Sequence, residues 1–302
     1  MDLPPPLPAN PKPAGKNRIW ILFVILGVCI MMAIIAGVVG LGIYGVKRAQ
    51  EQKAAVNEME KAFASEDQKM AKALREGKSE DRNASFDRAQ AELNRAAEHL
   101  NSGDAAAARG MMAWMKKLQV QMQALDAAAH NVGAAKVFAF DIRDRSTIDE
   151  DRKLVREMIS ANTKVTEMIV HGSELAAAEL DAAGVPPRIR EATLKGYAEK
   201  QGPARPLMLQ IRKCDQTLAE SALSVLDLLD QNWGKWKRND SGRLVFNDQS
   251  TASAFNDYIK TIQKTTAEET QLQQELADRV QGFSGASGVK PVPSASNPVA
   301  PQ

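Results

Sequence analysis

The sequence predicts an all-α protein: a single N-terminal transmembrane helix, then an elongated helical bundle of coiled-coil character with one small β-hairpin. Three observations carry that expectation. Ile19 to Val46 holds no charged residue, and about 20 apolar helical residues suffice to cross a bilayer core. Downstream of it, apolar residues recur at steps of three and four, which is the helical period. Lys235 to Asn247 alone breaks that period, with turn chemistry between two short extended runs.

The chain divides into four parts. Residues 1–18 are a Pro-rich tail, 19–46 the membrane span, 47–282 the helical bundle, and 283–302 a Gly/Ser/Pro tail without the apolar content to fold. The apolar run is longer than the core of a cleaved signal peptide, and Tyr44-Gly45-Val46-Lys47-Arg48 lacks an Ala-x-Ala site. The span is therefore read as an uncleaved anchor in contact with membrane lipid. Trp20 and Tyr44 stand near its ends, where amphipathic rings favour the lipid–water interface. Basic residues flank it on both sides: Lys12, Lys16 and Arg18 before, Lys47, Arg48 and Lys53 after. The short leading tail tips the expected arrangement to N-in, C-out, with an extracytoplasmic bundle. Cys29, Ala33, Ala36, Gly37 and Gly40 have small-xxx-small spacing, which lets two helices approach closely. They are the candidate packing residues for self-association.

Six apolar stripes follow. Val56, Phe63 and Met70 form the first, Phe86, Leu93, Ala97 and Leu100 the second. Met111, Met115, Leu118, Met122, Leu125, Ala129 and Val132 form the third. Met112 adds to the methionine content there, and Met suits irregular cores. Val155, Met158, Asn162, Val165 and Ile169 form the fourth. Asn162 has two readings: a buried amide that sets register, or a solvated edge. Leu207, Ile211, Cys214, Leu218, Ala222, Val225 and Leu229 form the fifth, and Phe255, Tyr258, Ile259, Ile262, Leu272, Leu276 and Val280 the sixth. Repeats near 3.5 residues pack helices at shallow angles.

Helix breaks fall between the stripes. Asn101-Ser102-Gly103-Asp104 supplies a Gly past one helix and an Asp cap for the next. Thr147-Ile148-Asp149-Glu150 matches a capping box. Gly184-Val185-Pro186-Pro187 ends one helix and begins another, and Gly202-Pro203 with Pro206 closes a short helix at about 187–200. Ser85 to Leu125 resembles one tetratricopeptide unit in its turn and Ala-rich packing positions. No second copy follows at the repeat spacing, so no repeat family is assigned.

Composition narrows the chemistry. The tail before the anchor holds three of the 39 basic residues and one of the 37 acidic ones, leaving the body with 36 of each. A neutral body lacks the basic footprint of a nucleic-acid binder. The two cysteines, Cys29 in the span and Cys214 in a helix, do not make a disulfide framework. The three histidines, His99, His130 and His171, fall on different predicted helices, with Ala96, Ala127 and Met168 three residues before them. Neither the His/Cys spacing of a zinc site nor the Glu-x-x-His pairs of a metal-binding bundle is present. Nucleophile elbows and phosphate-binding Gly loops are also missing. The expectation is a non-enzymatic chain with no cofactor.

The strongest candidate binding feature is a basic, aromatic tip: Trp233, Lys235, Trp236, Lys237, Arg238 and Arg243. Trp faces beside cations stack ligands or sit at a membrane surface. The same residues also suit aromatic packing at the bundle end. Pro4-Pro5-Pro6-Leu7-Pro8 is a polyproline segment, read as a stiff tail. The function expected is a membrane-anchored interaction or scaffolding module that binds a protein partner or itself. The alternative is an extracytoplasmic ligand-sensing or envelope-binding domain.

Overall fold

The computed structural model describes residues 102–239 and 243–286, with scattered positions between 90 and 100. The span 19–46 with its packing residues, the first stripe, the N-terminal tail, residues 287–302 and the Asp240-Ser241-Gly242 turn lie outside the described residues, and the last helix runs to Ala286, four residues into the segment 283–302 expected not to fold. Among the described residues no helix is long and apolar enough to cross a membrane.

The described part is mostly helical. In chain order it comprises α1 (Ser102–Ala134), a 3-10 turn (Val137–Ala139), α2 (Arg145–Val170), α3 (Gly172–Ala182), α4 (Pro187–Gln201), α5 (Arg205–Gln231), β1 (Trp236–Arg238), β2 (Leu244–Phe246) and α6 (Gln249–Ala286). Every member of the third, fourth and fifth stripes is buried. They meet where α2 packs between α1 and α5. Phe255, Tyr258, Ile259, Ile262 and Leu272 of the sixth stripe are only half-buried and Leu276 is buried, because α6 packs chiefly on α5, with β2 touching its start; the side chain of Val280 lies outside what is described.

Antiparallel packing sets the ends of the molecule. Arg145 reaches Asp230 at 2.6 Å, Arg152 reaches Asp227 at 2.8 Å and Asp230 at 2.9 Å, and Asn162 reaches Arg212. The start of α2 therefore lies beside the end of α5. At the other end Arg279 of α6 donates to the Pro203 carbonyl at 2.9 Å. The hairpin thus stands at the end opposite Ser102.

Local chemistry explains the boundaries, with two corrections. The α2 helix starts at Arg145, ahead of the expected capping box. Asp144 caps it, accepting from the Thr147 amide (2.8 Å), Ser146 Oγ (2.7 Å) and Thr147 Oγ1 (2.9 Å). A carboxylate facing the helix dipole is the better cap, and those bonds, Ser146 first, hold its pKa low. Similarly, α1 begins at Ser102, so Asp104 sits in its first turn and is not its cap. Gly184 adopts φ +69° at the expected break, and Pro187 opens α4.

The break between α2 and α3 has no Pro to announce it. The helical run of α2 stops at His171, and α3 begins at Gly172. A Cβ at Gly172 would stand 2.6 Å from the Tyr197 oxygen. Tyr197 in turn meets Trp114 edge-on, with ring centroids 6.5 Å apart. Glycine here lets α3 close over α4 and α1.

Candidate functional site

The predicted tip forms where α5 ends. Gly234 takes φ +79°, a left-handed value suited to glycine, and the chain reverses into the hairpin. In the antiparallel register Trp236 faces Phe246, Lys237 faces Val245 and Arg238 faces Leu244. Side chains alternate across a strand, so Trp236, Arg238, Leu244 and Phe246 share one face and Lys237 and Val245 the other.

The inner face closes the bundle. Trp236 Nε1 donates to the Leu229 carbonyl at 2.8 Å. Phe246 lies against Phe255 (5.1 Å), which meets Phe140 edge-on (6.3 Å). Arg238 donates to the Phe140 carbonyl and lies 3.4 Å from Asp141. Phe140 is buried with φ 48°. A left-handed conformation costs a non-glycine residue roughly 1–3 kcal/mol, and Arg238 helps hold it. Trp236 and Arg238 are therefore framework at this end.

The outer part faces water. Trp233 meets Trp236 edge-on at 5.4 Å and is 38% exposed, and Val245 is 37% exposed. Lys235 and Lys237 are exposed, and among the described residues neither has an ion-pair partner. Two described acids nearby are engaged elsewhere. Asp230 is held by Arg145 and Arg152, which keep its pKa low. Asp248 caps α6, accepting from the Ser250 and Thr251 amides at 2.8 and 3.2 Å, and the bond from the Ser250 hydroxyl leads in pulling its pKa far down. Arg243 is half-buried, its amide donating to Asn239 Oδ1 at 2.9 Å. The six predicted tip residues all lie on or beside the hairpin; Trp233, Lys235 and Lys237 are its exposed members, Trp233 lying against Trp236 and Lys237 standing on the opposite strand face.

A second cluster was not foreseen as a site. Arg212, Asp215 and Glu269 are 1%, 1% and 2% exposed, between α5 and α6. Arg212 Nη2 lies 2.9 Å from Asp215 Oδ2. Asn162 of α2 donates to the Arg212 carbonyl at 2.9 Å and accepts from Arg212 Nη1 at 3.3 Å. Asn162 is therefore buried and bridged to α5, not a solvated edge. Gln273 donates to Glu269 Oε1 at 3.1 Å. Burial raises both carboxyls, Glu269 to about 10, with the Asp215 charge adding to it. Cys214 is buried nearby, and its thiol is pushed up to about 12 by burial first.

Of the three histidines, His99 lies outside the described residues. His130 and His171 are both exposed, and His171 Nδ1 lies 3.0 Å from Glu174. No group of three or more metal-ligating side chains occurs among the described residues. Comparison with protein-family models, with curated proteins and with solved structures finds no match.

Proposed function

We propose that this protein is a membrane-anchored, non-enzymatic helical interaction module that binds an acidic protein partner at the hairpin end. The anchor is residues 19–46, in lipid, with the bundle on the extracytoplasmic side. The observation that supports the binding reading is the exposure of Trp233, Lys235, Lys237 and Val245 at the hairpin end. These residues combine two exposed apolar side chains with two cations that lack partners among the described residues. Trp is favoured in interface cores, and unpaired cations steer an acidic partner on approach.

The test separates outward residues from framework. Trp233→Ala with Lys235→Glu and Lys237→Glu, in the full chain extracted in detergent, is expected to abolish partner capture and leave the helical circular dichroism unchanged. Trp236 stays intact in this variant, because its loss would disturb packing against Leu229. Capture unaffected by the triple change would refute the tip as the binding surface. Capture of nothing but a second copy of the chain would replace the partner reading with self-association, through Cys29, Ala33, Ala36, Gly37 and Gly40.

A further inference from the structure

The cluster between α5 and α6 has an uneven charge count. One guanidinium, Arg212, faces two carboxyls, Asp215 and Glu269, and all three are shut away from water. Among the described residues no ion pair other than Arg212–Asp215 reaches either carboxyl. From α5 the remaining ionisable neighbours are Cys214, which is buried, and Lys213, which is exposed. The α2 helix contributes the uncharged Asn162, and α6 itself adds the uncharged Gln273 and the exposed Glu268. The β2 strand meets α6 only with Leu244, Val245 and Phe246. With both carboxyls ionised the seam would hold a net negative charge in a low-dielectric interior, which is strongly unfavourable. A single proton removes it. Neither Asp215 oxygen has an aligned N–H or O–H donor, and a protonated Glu269 supplies one.

We propose that this seam is a proton-linked clasp: one proton shared by Glu269 and Asp215 keeps the distal half of α6 docked on α5, and its loss releases that half. The geometry suits a local opening. Beyond β2, α6 rests on α5, and the seam there is lined by Thr265, Glu269 and Gln273 as much as by Leu276. Elements held by few apolar contacts open below the global unfolding limit.

The sign follows from linkage. The docked carboxyl is raised to about 10, against an ordinary 4.5. Docked α6 therefore binds a proton that released α6 does not, throughout the interval between those values. Docking is strongest below 4.5 and weakens as pH rises through the interval, by up to about tenfold per pH unit. The clasp responds across neutral pH even though the docked carboxyl itself titrates far above it.

Cys214 reports the opening, because it is buried on α5 within electrostatic reach of Glu268 and Glu269 of α6. The experiment alkylates the full-length detergent-extracted protein with N-ethylmaleimide at pH 6, 7 and 8 and quantifies Cys214 by peptide mass spectrometry. Wild type is compared with Glu269→Gln, a neutral isostere of the protonated form. Reagent chemistry divides out of the ratio. The wild-type to variant rate ratio is expected to climb several-fold, up to about tenfold, per pH unit; a ratio flat with pH overturns the clasp. If Glu269→Gln fails to fold, hydrogen exchange on the wild type decides instead. Protection of amides 262–276 relative to amides 218–229 of α5 should fall as pH rises. Constant relative protection overturns the proposal.

Discussion

At Asn162 one side chain joins two helices by three contacts: it bonds the Arg212 carbonyl and guanidinium, and its Nδ2 lies 3.5 Å from Gln216 Oε1. Replacement by Ala strips a buried carbonyl and a buried guanidinium of a partner. Leaving such groups unsatisfied costs about 1–3 kcal/mol, more beside a charge. Urea denaturation of Asn162→Ala should show a loss of at least that size; a change within about 0.5 kcal/mol, as at an ordinary surface site, would reject the buried-bridge reading. Burial of Cys214 was legible in the sequence, because it stands inside an apolar stripe; for Asn162 the stripe left burial and a solvated edge both open. Burial of Arg212 and Asp215 was not legible, since each stands one residue beyond a stripe position (Ile211 and Cys214) and reads as a solvated flank. Glu269 did leave a signal. Ile262, Glu269 and Leu276 are spaced by sevens, so the carboxyl occupies a position the repeat reserves for an apolar residue. Sequence patterning marks the face a residue takes but not the partner it finds there, which comes from another helix.

Elements are set by contacts between helices as much as by their own periods. Gly110 of α1 lies against α3, where an added Cβ would meet the Glu179 carbonyl and Leu180 Cα at 3.0 Å. Backbone atoms cannot yield as a side chain does, so Gly110→Ala should push α3 outward and cost about 1–3 kcal/mol, measured by thermal or urea unfolding. Gly184→Ala tests a different physics. No atom stands within 4 Å of the added Cβ, but φ is +69°, and the left-handed conformation costs an L-residue about 1–2 kcal/mol. If both variants match wild type, neither glycine is required by the fold. These cases also explain which boundaries were legible. The turn at Gly184-Val185-Pro186-Pro187 and the hairpin announce themselves by residue type. The α2–α3 break does not, because Gly172 is demanded by Tyr197 from α4 rather than by its own neighbours. The Asp144 cap was passed over for a similar reason: two acceptors, Asp144 and Thr147, stand three residues apart, and only the packed start of α2 chooses between them.

The course of the whole chain gives the tip its meaning. The chain enters α1 at one end of the bundle, and the hairpin stands at the other, beside the joins of α1 to α2 and α5 to α6. Thirty-three residues of α1 at about 1.5 Å each separate the two ends by roughly 50 Å. A tip so placed is available to a partner away from the point of entry, and the orientation proposed for residues 19–46 puts it outside the cytoplasmic leaflet. Lys237 makes this testable. It is exposed and faces outward across from Val245, whereas Cys214 is buried with its thiol pushed up to about 12 by burial, so a cysteine introduced at the tip will dominate labelling of the bundle. Lys237→Cys in the full-length chain should react in intact cells with a membrane-impermeant maleimide. Reaction only after permeabilisation would place the bundle in the cytoplasm, reverse the orientation, and turn the search for the acidic partner to cytoplasmic proteins. The balance of Lys12, Lys16 and Arg18 against Lys47, Arg48 and Lys53 explains why this measurement is needed. The positive-inside rule counts basic residues near the span, and here both flanks carry three.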